Sequence, residues 1–443
     1  MKISNDKLRG SFHGKYKKTI LSILIFILAF GIRLSYMKKT IVPNPFMKDS
    51  GVYLSYAKNL VQYNTFSKSK GPNPVPDNLC ETGYPFFIAA FLKVFKDLNT
   101  SYAMIIFTQI ILGSLTAIIV FAIGIRFLPL WAATGAAILT AFSPHLIATT
   151  SYFLTETLFT FIMTAAILIM AEALENPRPF FFFAASFIMG IACLVRPALM
   201  LFPVFIIPYV FFIKKPPKRI LVSMLLILGI ITAIAPWELW KKSRTTIIYD
   251  KSSLFSRALV LGFYPGLIYK TDSQKGFPYA EDKKYDEMTS DLGLAFTTLW
   301  QRAKKSPMKY LNWYIAGKPA MFWSWDVLQG YEDVYIYPVK NSLFKTSAFA
   351  GAIHKVMKIL HPILIIMTMA GFAGLVLISK SGGSTSQISV DIGLLVISLL
   401  FYFTAIHTIL APLPRYSIPL RPMLYLGAFI PFMLPGLKIN KRD

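Results

Sequence analysis

The chain has 443 residues, 55% of them hydrophobic and 15% aromatic, with a mean hydropathy of +0.54 and a formal net charge of +25. Charged residues make up only 15%, and apolar runs long enough to cross a bilayer recur, which excludes a chain of two or three ordinary soluble domains. The basic residues gather where apolar runs end rather than on one soluble face, so the charge points to lipid headgroups and topology and away from nucleic acid.

The N-terminus is basic (KLRGSFHGKYKK), and no small-residue cleavage site follows the first apolar run, so 19–37 reads as a retained first span. Further spans are expected at 100–126, 129–149, 153–173, 180–195, 197–213, 219–236, 355–379, 388–411 and 415–436, about ten in all. With a cytoplasmic N-terminus, parity puts Arg126, ENPR (175–178), KKPPKR (214–219), SKSGG (379–383) and KINKRD (438–443) inside. All but the mixed-charge ENPR are net positive, as the positive-inside rule expects. This parity holds only if GYPFFIAAFLKVF (83–95) does not cross; it is short, ends at Lys93 and Lys96, and reads as a helix along the surface.

The expected fold is therefore an all-α polytopic membrane protein. Amphipathic juxtamembrane helices lie in its first outer loop (38–99), and a small extracytoplasmic segment covers 237–354. Residues 1–236 form an N-terminal transmembrane module that includes this loop, and 355–443 the C-terminal helices. In the first outer loop KDSGVYLSYAKNL (48–60) sets Val52, Tyr53, Tyr56, Ala57 and Leu60 at helical spacing behind one acid, Asp49. Asp49 suits a helix cap, and the same place keeps a carboxylate ionised for chemistry. In the second segment WQRAKKSPMKYLNWYIAGKPAMFWSW (300–325) mixes basic and aromatic residues as helices at headgroup level do.

Charges near membrane depth are costly and each needs a reason. Glu156, flanked by Thr155 and Thr157, starts a span on the outer side, where an acid complements the helix dipole. Arg196 precedes Pro197, where two spans meet; its guanidinium suits a phosphate or snorkels to the boundary. In HTILAPLPRYSIPLRP (407–422), prolines break the chain, Arg415 and Tyr416 stand at the outer start of the last span, and Arg421 lies about two turns in. His407 reads as a buried hydrogen-bonding group. Neither Cys80 nor Cys193 has metal or disulfide-framework spacing, and no phosphate-cradling loop or GxSxG elbow occurs. One face thus collects two acids, arginines, lysines and tyrosines beside hydrocarbon, which suits a reaction on a lipid-linked phosphate.

These residues resemble the GT-C membrane glycosyltransferases, in the branch of the protein O-mannosyltransferases and lipid A aminoarabinose transferases. The matching motifs are D-x-x-x-Y-x-x-x-A-x-x-L from Asp49, GYP (83–85), TETLF (155–159), LVRP (194–197), PW (236–237) and RYSIPLRP (415–422), in the same order. The resemblance implies an inverting transfer from a polyprenyl-phosphate sugar to a lipid, glycan or protein acceptor, at a bacterial inner membrane with the site facing outward. It implies Asp49 as catalytic base, Glu156 as second acid of the site, and Tyr84, Arg196, Arg415 and Tyr416 as contacts of donor phosphate or sugar. Ser50 stands where some branches carry a second acid, so the expectation is no cofactor and no metal. The rival readings are a flippase for lipid-linked saccharides, which would spread charges through its spans, and a non-catalytic scaffold, which has no use for paired acids and arginines.

Overall fold

Helix dominates, and prolines decide where it stops. The computed structural model describes residues 2–214, 218–247, 251–267, 277–327, 333–380 and 387–436. The N-terminal half runs through α1 (Lys2–Lys39), α2 (Asp49–Tyr63), α3 (Gly83–Phe95), α4 (Leu98–Gly124), α5 (Leu130–Phe142), α6 (Pro144–Thr149), α7 (Glu156–Glu175), α8 (Pro179–Val195), α9 (Phe202–Pro208) and α10 (Arg219–Arg244). Short helices follow: α11 (Lys251–Leu261), α12 (Tyr285–Ser290), α13 (Leu292–Lys305), α14 (Pro307–Asn312), α15 (Lys318–Phe322) and α16 (Leu343–Thr346). The long α17 (Ala348–Lys380) and α18 (Gln387–Ile409) and the short α19 (Arg421–Ala428) end the fold. The expected inner loops at 214–219 and 379–383 fall partly, and 438–443 wholly, outside the described residues.

Among the described residues six helices are long and apolar enough to span: Tyr16–Lys39 of α1, α4, α7, α10, Ala348–Leu377 of α17, and α18. The chain is an integral multi-pass membrane protein. The other expected spans are built from shorter pieces. Pro144 divides 129–149 into α5 and α6, and α8 has 17 residues. In 197–213, Pro197 opens a 3-10 turn, α9 follows with Pro203 in its first turn, and a π-helix (Tyr209–Lys214) continues directly from Pro208. The last expected span is a 3-10 stretch (Pro414–Leu420), the eight residues of α19, and two further 3-10 turns. Each proline lacks an N–H and clashes with the preceding turn, so apolar composition alone does not yield one continuous rod.

The main core gathers α4, α5, α7, α8 and α19, with α1 against α4. α8 lies so close to α10 that a Cβ at Gly229 would meet the Phe183 carbonyl oxygen at 2.7 Å, the small-residue contact that brings membrane helices together. A separate small core holds Leu259, Phe263, Ala295, Trp313 and Met321 against Ala411. It seats part of the 237–354 segment on the connector between α18 and Pro414. Lys318 tightens that seat, since its Nζ donates to the carbonyls of Thr408, Ile409 and Leu410 at the end of α18, at 2.8, 3.1 and 3.2 Å.

A second set of bonds holds Trp323, Ser324 and Trp325. Three successive carbonyls accept from three membrane-domain side chains: His361 Nε2 at 2.6 Å, Arg421 Nη2 at 2.9 Å and His145 Nε2 at 2.8 Å. Arg421 Nη1 also lies 2.6 Å from both ring nitrogens of His361. His407 is buried, as expected, between the rings of Phe322 and Tyr416, with Nδ1 on the Ala411 carbonyl.

Candidate active site

Four separated stretches supply the site, and each is positioned by its local sequence. Asp49 is the first residue of α2. The capping position belongs to Lys48, at φ 49°, and no side chain caps the helix, so the reading of Asp49 as a cap is corrected. The carboxylate is turned toward an arginine instead. Gly51 permits this start, because a Cβ there would lie 2.7 Å from the Phe46 carbonyl oxygen. Glu156 is the first residue of α7. Arg196 follows α8 in extended conformation, φ −148° and ψ 120°, as a residue before proline prefers. Arg415 lies in the 3-10 stretch between two prolines, Pro414 and Pro419.

The charges form an alternating row. Arg415 Nη1 meets Asp49 Oδ2 at 3.0 Å, and its Nε meets Glu156 Oε1 at 2.5 Å. Arg196 Nη2 reaches the same Oε1 at 2.6 Å, while its Nε donates to Thr155 Oγ1 at 2.6 Å. The two acids differ in kind. The side chain of Glu156 is 0% exposed and that of Asp49 51%, so Glu156 anchors two guanidiniums from below while Asp49 faces outward. Glu156 Oε2 is buried without a hydrogen-bond partner among the described residues.

Tyr416 lies beside Arg196, whose guanidinium carbon is 6.0 Å from its ring centre. Tyr84 sits one layer deeper. It is buried, its hydroxyl donates to Gln109 Oε1 at 2.9 Å, and Gln109 bonds the carbonyls of Thr150 and Tyr152. Tyr84 touches the site through Tyr53, ring centres 5.4 Å apart. Asp49, Glu156, Arg196, Arg415 and Tyr416 are thus brought together, and Tyr84 supports them.

Three neighbours escaped the sequence reading as site residues. Tyr53, one helical turn after Asp49, feels Asp49, Arg196 and Arg415; burial first, then Cys80 and Asp49, push its phenol well above its ordinary value. The four-residue spacing from Asp49 was a usable signal. Thr155, the Arg196 partner, is adjacent to Glu156 in sequence. Tyr337 had no local signal: it comes from the 237–354 segment, takes a hydrogen bond from Ser50 Oγ at 3.1 Å, and senses Asp49 and Arg415. Among the described residues, no three or more His, Cys, Asp or Glu side chains are grouped to hold a metal ion.

The fold and this cluster define a class, a multi-pass membrane protein with a paired acid–arginine site where several helices begin or end. Residues 82–240 match the family described as dolichyl-phosphate-mannose-protein mannosyltransferase, a GT-C family. It contains Tyr84, Glu156 and Arg196; Asp49 and Arg415 lie outside it. In overall structure the chain is similar to the archaeal oligosaccharyltransferase AglB from Archaeoglobus fulgidus, in complex with an inhibitory peptide and a dolichol-phosphate (TM-score 0.45, 11% identity, 94% of this chain and 50% of that chain covered). It is also similar to ArnT from Cupriavidus metallidurans bound to undecaprenyl phosphate (TM-score 0.39, 12% identity, 96% and 78% covered). The chain spans about half the length of the oligosaccharyltransferase. A comparison with curated proteins gives no match.

Proposed function

We propose that the chain is an inverting glycosyltransferase that moves a sugar from a polyprenyl-phosphate donor to an envelope glycan, lipid or protein acceptor. The reaction runs on the extracytoplasmic side, facing the periplasm or exterior of a bacterial inner membrane. The observation that carries this reading is the convergence of Asp49, Glu156, Arg196 and Arg415 from four stretches of chain into one row, partly open at Asp49. The GT-C family match at 82–240 supports it.

In this reading the donor phosphate lies against Arg196 and Arg415, which Glu156 holds in place. The acceptor hydroxyl attacks the anomeric carbon from the face opposite the phosphate, so the new bond forms with inversion. The bond from that carbon to the phosphate oxygen breaks, and its electron pair leaves with the phosphate, where the guanidiniums stabilise the charge. Asp49 takes the hydroxyl proton. Tyr416, and Tyr84 from behind Tyr53, shape the donor side. Two guanidiniums supply the positive charge a departing phosphate needs, which favours a reaction without metal or other cofactor.

The test uses the purified chain in proteoliposomes with a polyprenyl-phosphate sugar and a membrane extract as acceptor source. Wild type should consume donor and label acceptor, whereas Asp49→Asn should not. Donor that crosses the bilayer without being consumed would establish the flippase instead.

A further inference from the structure

The basic-aromatic stretch 300–325 has no part in the reaction just described, and its structure gives it a task of its own. α13 ends in Arg302, Lys304 and Lys305, and Pro307 starts a second helical run from α14 through a π-turn (Trp313–Gly317) into α15. The inner faces of this hairpin fill the small core through Ala295, Trp313 and Met321. Its outer faces do the reverse of what a water-facing helix does. Phe296 and Trp300 stand one turn apart on α13 and are exposed, Trp300 by 62%. Met308, Leu311 and Ile315 repeat along one side of the second run, Met308 exposed by 72% and Ile315 by 69%.

Between the two runs lies an apolar cleft of about 730 Å³, walled by Phe296, Trp300, Met308 and Leu311 with Lys304 at its edge. The Lys304 ammonium stands over the Trp300 ring at 5.2 Å. The position of the hairpin is set at its far end. Lys318 bonds the last carbonyls of α18, and Trp323 Nε1 donates to Thr404 Oγ1 of the same span at 3.0 Å. The C-terminal end of the hairpin therefore lies beside the end of α18. Lys305 and Lys309, both exposed, add to the basic rim.

We propose that the α13–α14 hairpin is a binding site for anionic phospholipid, dipped into the bilayer leaflet next to the outer end of α18. An acyl chain fills the cleft, Trp300 lies at the boundary of chain and headgroup, and Lys304, Lys305 and Lys309 hold the phosphates. An apolar face this exposed, rimmed by lysine and fixed to the end of a span, suits lipid in both its oil and its charge. The inference stands apart from the glycosyltransfer reading, since it concerns neither acid nor arginine of the row.

The test reconstitutes the full chain in phosphatidylcholine vesicles, with or without phosphatidylglycerol, some carrying acyl-chain bromine as a contact quencher. Trp300→Phe isolates the Trp300 emission by difference; the site is exposed, so folding is preserved. Bromolipid should quench the Trp300 component and aqueous iodide should not. Neutralising Lys304, Lys305 and Lys309 to Gln should reduce the preference for phosphatidylglycerol around the chain by roughly fivefold per lysine, the factor of about 1 kcal/mol for each basic residue at an anionic surface. Quenching by iodide alone, or by neither agent because protein covers the face, overturns the proposal. So does a lipid preference unchanged in the triple variant.

Discussion

Two sets of arginines in this molecule solve the same problem in opposite ways. Arg33 and Arg421 are fully buried and have no carboxylate partner among the described residues. Arg33 donates to the carbonyls of Ala29, Thr140 and Ala141, the last two at the end of α5. Arg421 spends its donors on His361 and Ser324. Both complete the carbonyls of broken or docked backbone, which satisfies the chain at depth and holds the fold. Arg196 and Arg415 instead share one carboxylate oxygen of Glu156, and Arg415 extends the row to the half-exposed Asp49. Arg33 and Arg421 each keep a buried Nε without a hydrogen-bond partner among the described residues, whereas the Nε of Arg196 donates to Thr155 and that of Arg415 to Glu156. Depth and charge alone do not separate the two kinds. Partners do.

The strongest test of this contrast is Asp49→Asn. It should lower kcat by about 10²–10⁴-fold, the range for a lost general base, in a sugar-transfer assay. Because Asp49 is half-exposed, the melting temperature of the purified protein should stay close to wild type. A variant that transfers sugar normally would remove Asp49 from the reaction.

Glu156→Gln should act on both measurements at once. It leaves two guanidiniums without their shared anchor, and breaking a buried ion pair costs about 3–5 kcal/mol. A fall in both melting temperature and transfer is expected; unchanged stability would show that the arginines do not depend on Glu156.

Arg421→Met should show the reverse profile. It removes charged hydrogen bonds worth about 1.5–3 kcal/mol and releases the Ser324 carbonyl. Limited proteolysis should then cut the 318–346 region faster, while residual transfer stays well above that of Asp49→Asn. Loss of transfer with unaltered proteolysis would place Arg421 in the site and break the distinction.

The smallest effect concerns the 237–354 segment. Asp282 accepts from Tyr264 and is paired with Arg302. Burial alone would raise its pKa, and these two partners, with the Lys284 backbone N–H, outweigh it and hold the carboxyl below its ordinary 3.8. A carboxyl lowered in the folded state stabilises above its unfolded pKa, and that contribution disappears as pH falls through the folded value. The segment should therefore lose about 1 kcal/mol or less on acidification below 3.8. Asp282→Asn should start with that loss already incurred and show a flatter acid limb in protease resistance.

Much of the molecule is legible residue by residue. Six of the expected spans correspond to helices of spanning length, because twenty apolar residues without a break have few alternatives in a bilayer. The amphipathic start at Asp49, the boundary acid Glu156 and the proline-flanked Arg196 and Arg415 stand out as polar residues where polarity is costly. What misled was continuity. The apolar content of 415–436 suggests one rod, but its prolines make it a string of short turns, and the first of these carries Arg415 to Asp49 and Glu156.

Composition and local pattern, then, determined that the chain enters the membrane, that it is helical, and which polar residues are out of place there, since burial and backbone hydrogen bonding act over a few neighbouring residues. Only the tertiary structure decided which of those residues meet. Arg415 lies 366 residues from Asp49 and 259 from Glu156 in sequence. Arg421 follows Arg415 by six positions in the same proline-rich stretch, and the residues around them separate the two only by depth along the last expected span. The difference between a carbonyl of Ser324 and a carboxylate of Glu156 as partner comes from helices assembled across the whole chain, and it separates an arginine tied to backbone from one tied to the acid row.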